Sequence, residues 1–274
     1  MSSRPAAAAT RRAELLRGPV TAAVREVAGR ALRAQARLRP EQVSRKGVGD
    51  FVTEVDVRCE RLLRRRLGAL LTDAGFLGEE TPAAALDQDW VWVVDPIDGT
   101  SNFARGLPQF SVSVALLFRG QPKLGVCHVL PEDRTYVAVH GRGLRRDGRT
   151  VDPPLARFDD GAMIGCQWFR GQADMGFLAA LQRRGARIRT FGSTVVQLCD
   201  CAAGRLDGNV QQQGRLWDFA AAGLIAQEAG LQFTTWTGER VFPLPDFEAE
   251  HIGTVAARPA VHRQLLELLR PHAR

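Results

Sequence analysis

The sequence predicts a mixed α/β fold, and three observations carry that expectation. Residues 90–139 read as successive strands. Beyond residue 153, strand-like and helix-like segments alternate. Apolar residues recur at helical spacing in segments near both ends. A length of 274 residues suits one large domain or two modest ones sharing a core.

In chain order, a first helix is expected from Pro19 to Gln35, with Val20, Val24, Val27 and Ala31 on one stripe and proline in the first turn. The Ala-, Ser- and Arg-rich first dozen residues, Met1 to Arg12, read as a frayed tail. Asp50–Thr53 is an extended segment. A second helix follows, with Val55, Cys59, Leu62, Leu63, Leu67 and Leu70 on one face, and Thr53 and Asp56 at capping-box spacing. Gly75–Leu77 is strand-like. Trp90–Val94, Phe110–Phe118, Leu124–Leu130 and Thr135–Val139 are expected strands, with a turn over Arg119–Lys123 and a hairpin signal at Asp147-Gly148. Gly141-Arg142-Gly143 reads as a turn, because no helix pattern follows it as a dinucleotide fingerprint would need.

Asp152-Pro153-Pro154 marks the best internal boundary. Strands are then expected at Ala162–Cys166, Arg187–Thr190, Leu206–Gln211, Gln232–Thr235 and Ile252–Ala256. Helices are expected at Met175–Arg184, Ser193–Ala203, Trp217–Ala229 and Ala260–Leu269.

Composition excludes several function classes. No apolar run approaches the roughly 18–20 residues of a membrane helix, so no membrane partner is expected. Net charge is +7, but only two lysines occur, Lys46 and Lys123, and arginine is spread along the whole chain. Aromatics, at 7%, do not interleave with it as a base-stacking surface would, which argues against nucleic acid. Cys59, Cys127, Cys166, Cys199 and Cys201 form no CxxC pair, and the odd count favours free thiols in a reducing, cytoplasmic setting. The histidines form no HExxH or similar metal spacing.

The chemistry lies in the acids. Trp90–Val94 runs into Asp95-Pro96-Ile97-Asp98-Gly99-Thr100, where proline is expected to hold both carboxylates in a tight turn. Two ionised carboxylates beside an apolar strand repel each other and lose hydration, so a proton or a cation must neutralise them. All-oxygen ligands suit Mg²⁺ or Ca²⁺. Backbone N–H groups at Gly99-Thr100 would bind an oxyanion. Read singly, Asp95 and Asp98 are also ordinary turn and cap residues, Glu79-Glu80 an ordinary loop, and Asp218 in Trp217-Asp218 an ordinary helix cap.

Taken together, these segments resemble a known family. Asp95–Thr100 with Asn102-Phe103 is similar to the first signature of the inositol monophosphatase family, and Trp217–Gly223 with Glu228-Ala229-Gly230 to its second. Gly49–Asp56 and Gly78-Glu79-Glu80 match its two other landmarks, in order, across residues 46–230. The resemblance implies a layered αβαβα sandwich shared with fructose bisphosphatases. Residues 1–152 would form an antiparallel sheet with two long helices, and residues 153–274 a smaller mixed sheet, with the site in the cleft between.

It further implies hydrolysis by water with two or three Mg²⁺ ions. Glu79, Asp95 and the Ile97 carbonyl would hold one ion; Asp95, Asp98 and Asp218 would hold another. Such pairs activate water and stabilise the leaving oxygen. Thr100, polarised by Asp56, would orient the water near Glu79. Asp98, Gly99, Thr100, Ser193, Thr194, Gln211, Asp218 and Lys46 would contact phosphate or substrate. Asp50 reads as structural.

Inositol-specific members carry glutamate where this chain has Gln211, which opens the substrate question. Thr194 departs from the family's small residue, and Gln167-Trp168-Phe169-Arg170 is bulky for an open inositol pocket. The leading expectation is a phosphomonoesterase acting on a small polyol or sugar phosphate. Histidinol-phosphate phosphatase activity is the enzymatic rival, and a regulatory protein binding the transcription machinery is the rival of another class. A homodimer is expected by analogy with the family.

Overall fold

The computed structural model describes residues 3–38, 43–47, 50–152, 158, 161–168, 175–247 and 251–272. Five layers stack as helices, sheet, helices, sheet, helices. The first layer pairs α1 (Ser3–Gln35) with α2 (Glu54–Leu70). The second is a seven-stranded sheet of β3 (Gly75–Gly78), β4 (Trp90–Asp98), β5 (Phe110–Phe118), β6 (Gln121–Leu130), β7 (Arg134–Val139), β8 (Leu144–Arg146) and β9 (Arg149–Thr150), in sequence order. Only its β3–β4 pair is parallel. Before α2, β1 (Val43–Gly47) and β2 (Asp50–Thr53) form a separate antiparallel pair.

The middle layer is α5 (Thr194–Ala202) with α6 (Leu216–Glu228). Behind it lies a mixed sheet ordered β11-β10-β12-β14-β13, from β10 (Met163–Gln167), β11 (Arg187–Arg189), β12 (Gly208–Gln211), β13 (Gln232–Thr235) and β14 (Thr254–Ala257). The outer layer holds α4 (Gly176–Arg183) and α7 (Pro259–Leu269). A two-residue side-chain period explains how β4 serves two layers. Trp90, Trp92 and Val94 join the core under α1 and α2; Val91 and Val93 join the core under α5 and α6.

Three expectations change. The residues before Pro19 are helical, so α1 begins at Ser3 and carries Pro19 inside it. Alanine-rich sequence favours helix, and Ala9 and Ala13 extend the buried stripe of Val20, Val24 and Val27. Pro19 is exposed, as is Leu15 four residues earlier, so water reaches the carbonyl that proline leaves unbonded.

The expected turn at Arg119–Lys123 is confined to Arg119 and Gly120, both left-handed (φ 49° and 74°). Strand β6 starts at Gln121 and takes in Pro122, which pairs with Leu117 at a register shift where a missing N–H is tolerated.

The tight turn at Asp95–Asp98 is instead a bulge within β4. Asp95 lies opposite Ser113 and Asp98 opposite Ser111, three steps on one strand against two on the other.

Other signals hold. Asp147 and Gly148 are both left-handed (φ 51° and 80°), as the β8–β9 hairpin requires. Gly141 to Gly143 form a turn whose three N–H groups donate to the Glu228 carboxylate at 2.7, 3.1 and 2.7 Å. Pro153 and Pro154 lie outside the described residues.

The middle helices are tied closely to the seven-stranded sheet. Arg134 on β7 donates to Asp200 on α5 at 2.6 Å and to the Tyr136 hydroxyl at 2.7 Å, a buried tie between sheet and helix. Helix α6 lies so close to β6 that a Cβ on Gly125 would come within 2.7 Å of the Ala221 carbonyl. Gly125→Ala is therefore expected to push α6 off the sheet and cost about 1–3 kcal/mol, the usual range for overpacking. Thermal denaturation checks it; an unchanged Tm would mean that this contact is loose.

Candidate active site

Four separate stretches bring acids to one end of the seven-stranded sheet. Gly78 on β3 is opposite Val94 on β4, so the chain leaving β3 carries Glu79 alongside Asp95. The bulge supplies Asp95 and Asp98, Asp56 comes from the first turn of α2, and Asp218 from the first turn of α6. Asp56 and Asp95 are buried, at 0% and 1% exposure, while Glu79 and Asp218 are half-buried.

The electrostatics of Asp95 show the convergence directly. Burial is the largest influence, followed by the negative charges of Glu79, Asp98, Asp218 and Asp56. Together they push its carboxyl well above the usual carboxylate range. The Asp98 carboxyl is also raised by burial, against the pull of four hydrogen bonds.

Asp95, Asp98 and Asp218 each accept from donors of their own neighbourhood. Asp95 Oδ1 accepts the Ile97 N–H at 3.0 Å. Asp98 Oδ2 accepts from Ser193 Oγ, from Ser111 Oγ at 3.1 Å and from the Val195 N–H at 3.0 Å, and its Oδ1 takes the Thr194 N–H at 3.2 Å. Asp218 Oδ2 accepts the Arg215 N–H at 2.8 Å, so the cap read from the sequence is real. Among the described residues, no three His, Cys, Asp or Glu side chains stand in finished metal-binding geometry. The acids meet at Coulomb range rather than around one centre. Local donors soften the repulsion without cancelling it, since Asp95 still holds its proton tightly.

This donor set fits divalent magnesium. It is all oxygen and dominated by carboxylates, and its members destabilise one another's charged forms until a cation lies between them. Asp95, Asp98, Glu79 and Asp218 would hold the ions, with the Ile97 carbonyl at the bulge.

The loop after the bulge is built by glycine. Gly99 is left-handed (φ 90°), and a Cβ there would meet the Gln109 carbonyl at 3.0 Å and Ser193 Cβ at 3.2 Å. It caps a five-residue helix, α3 (Thr100–Ala104). Thr100 Oγ1 lies 3.1 Å from Asp56 Oδ1 and 2.9 Å from the Ile97 carbonyl, so its one proton is divided between two acceptors.

Two residues are not evident from the sequence. Ser111 acts only through its register opposite Asp98, and register is not visible in sequence. Asn102 reads there as motif wording alone. Its amide donates to the Gln109 carbonyl at 2.8 Å and the Phe191 carbonyl at 2.7 Å, tying α3 to the loop before Ser193.

Ser193 caps α5 by accepting the Val196 N–H while it donates to Asp98. Gln211 is placed beside Thr194. It is fully buried; its Nε2 donates to Thr194 Oγ1 at 3.0 Å and its Oε1 accepts from Thr254 at 3.5 Å. The side chains of Lys46, Asp50 and Thr53 lie outside the described residues, as do Phe169 and Arg170.

A phosphate-ester hydrolase that works with bound metal is the class that this fold and acid cluster define. Residues 14–274 match the profile of the inositol monophosphatase family. A "Probable inositol 1-monophosphatase ImpA" of Mycobacterium tuberculosis is 35% identical over 242 residues, covering 84% of this chain and 86% of the relative. The "Nus factor SuhB" of Escherichia coli K12 is 31% identical over 235 residues, covering 84% and 86%. Among solved structures, SuhB from Bartonella henselae superposes with a TM-score of 0.83 at 26% identity, covering 92% of this chain and 97% of that one. An IMPase from Thermotoga maritima superposes with a TM-score of 0.81 at 26% identity, covering 92% and 95%. The chain belongs to the inositol monophosphatase family, whose members are phosphoric monoester hydrolases.

The raised Asp95 pKa has a sign that can be tested. The folded chain keeps this proton where the unfolded chain has lost it. The associated stability is therefore fully present below the ordinary carboxylate range, near pH 4, and is lost as pH rises. In EDTA, Asp95→Asn should raise Tm at pH 8 and flatten the decline between pH 5 and pH 8. A lower Tm than the parent in EDTA at pH 8 would contradict the repulsion.

Proposed function

We propose that the chain hydrolyses a small polyol or sugar phosphate, of the inositol 1-phosphate kind, with Mg²⁺ as its metal. The single observation that carries this reading is the mutual electrostatic destabilisation of Asp95 by burial and four other acids. Family membership and relatives named inositol-1-monophosphatase support it. Paired Mg²⁺ ions, when bound, supply a more acidic water and positive charge beside the leaving oxygen.

The chain's own groups do the rest. Glu79 and Asp95 would hold one ion, with the Ile97 carbonyl; Asp95, Asp98 and Asp218 would hold a second, and a third would sit near Glu79. The Thr100 hydroxyl, which donates its proton in a hydrogen bond to Asp56, orients the attacking water by accepting a hydrogen bond from it. The Gly99 and Thr100 N–H groups face phosphate oxygens. Ser193 and Thr194, on Asp98 through hydroxyl and N–H, border the substrate, with Gln211 behind Thr194. Lys46 would add a positive charge near the phosphate.

Residues 1–152 contribute Glu79, Asp95 and Asp98, and residues 153–274 contribute Asp218 and Ser193, so the site belongs to the cleft between two halves. The reading includes a homodimer and a cytoplasmic location, the latter supported by five free buried cysteines.

Gln211 in place of a glutamate keeps histidinol phosphate open as substrate. The similarity to proteins named Nus factor favours a second reading, attachment to the transcription machinery. A role that survives Asp218→Asn in cells would select binding over catalysis.

Purified protein assayed on inositol 1-phosphate, histidinol phosphate and simple sugar phosphates should turn over at least one substrate with Mg²⁺ and none in EDTA. Asp95→Asn and Asp218→Asn should each lower kcat by more than ~100-fold, since even partners behind metal ligands are worth about 10–100-fold. Turnover in EDTA, or an active Asp95→Asn enzyme, would reject the proposal.

A further inference from the structure

One buried acid beside the cluster has no part in the metal-binding scheme. Glu60 lies on α2 one turn after Asp56, on the same helix face, and is 0% exposed. Its Oε2 accepts the Glu80 N–H at 2.8 Å. Its Oε1 is buried without a hydrogen-bond partner among the described residues. A carboxylate so placed is costly, because an orphaned buried acceptor gives up its hydration without a replacement. A well-packed apolar side chain would normally serve a helix–sheet contact better.

The backbone above Glu60 is fitted to it. A Cβ on Gly78 would lie 2.4 Å from the Glu60 carboxyl carbon and 2.5 Å from each of its oxygens. The carboxylate is therefore pressed flat against the Gly78 Cα while it grips the N–H two residues on. Between those two contacts stands Glu79, the acid whose charge acts most strongly on Asp95. Gly78 itself is held by its pairing with Val94.

We propose that Glu60 is a positioning residue: from beneath the end of β3 it fixes the backbone that presents Glu79 to the metal ions. The inference rests on the reading of Glu79 as a metal ligand. An N–H donated to a carboxylate is shorter and stronger than one donated to a neutral oxygen. That gives the Gly78–Glu80 corner a rigid floor within a loop that has solvent on its other side. Gly78 is required because any side chain there would displace the carboxylate. The role differs from a simple staple between α2 and β3, which would contribute to stability without touching metal affinity.

The test is Mg²⁺ binding measured by calorimetry without substrate, alongside Tm in EDTA, on the parent, E60Q, E60A, G78A and the double variant. E60Q keeps an oxygen for the Glu80 N–H and should bind Mg²⁺ within about threefold of the parent. E60A and G78A should each weaken binding by about tenfold or more, the range for residues that orient metal ligands. The double variant should bind no more weakly than the weaker single one, because E60A removes what the new Cβ strikes.

An E60A protein with lowered Tm and parental Mg²⁺ affinity would reduce Glu60 to a staple and overturn the inference. So would E60Q falling as far as E60A, or additive losses in the double variant. If E60A does not fold, G78A decides: parental affinity overturns the inference and weakened affinity supports it. A parent that binds no Mg²⁺ would remove the functional reading itself, and this inference with it.

Discussion

The structure is organised around a repulsion. Five carboxylates from β4, α2, α6 and the loop after β3 come within electrostatic reach of one another, and one of them, Asp95, is almost wholly removed from water. A buried charge among like charges is tolerated only with a proton or a cation to neutralise it. Local donors have been recruited to Asp95, Asp98 and Asp218: the Ile97 N–H, the Ser111 and Ser193 hydroxyls and the Arg215 N–H. They lessen the strain and leave Asp95 with a raised pKa. A fold that keeps such a cluster is organised for binding rather than for its own stability.

The scaffold holds this arrangement through backbone geometry more than through side-chain packing. The parallel β3–β4 register brings Glu79 to Asp95, and one extra residue in β4 turns both Asp95 and Asp98 to the same end of the sheet. Gly99 allows the chain to turn tightly beneath the Gly192-Ser193 loop, where Asn102 pins it. Helix α6 brings Asp218 because Gly125 lets it approach the sheet. Glycine at each of these places is a requirement of distance, and substitution there would act on the site through the backbone.

Much of this is legible in the sequence. The strand runs, the α/β alternation after residue 153 and the helices expected at Ser193–Ala203 and Trp217–Ala229 follow from apolar period; the structure has those helices within one residue, while β4 and β6 run three or four residues longer than expected. The acid segments are legible as well, because four ordered motifs are hard to reach by chance. What the sequence hides depends on tertiary distance. The bulge at Asp95–Asp98 reads as a turn, since Pro96 suits both. Helix α1 starts well before Pro19 because its alanine stripe finds a sheet to cover, which outweighs the proline signal. The hydrogen bonds that hold the Gln211 amide to Thr194 and Thr254 are likewise set by tertiary distance. Glu60 belongs to none of the sequence motifs, although its spacing from Asp56 puts two acids on a face that is otherwise buried.

Family membership accounts for the fold, and the chain's own departures fall where substrate would sit. Thr194 and Gln211 form one hydrogen-bonded unit next to Ser193, a hydroxyl backed by an amide. Every acid that the motifs require is present. The claim on which all else depends is that these acids close around divalent ions. Crystals soaked in Mn²⁺ as a Mg²⁺ substitute test it most directly, by anomalous scattering. The account predicts an anomalous peak touching Asp95 and at least one of Glu79, Asp98 and Asp218. Saturating Mn²⁺ with no peak among these carboxylates would contradict it.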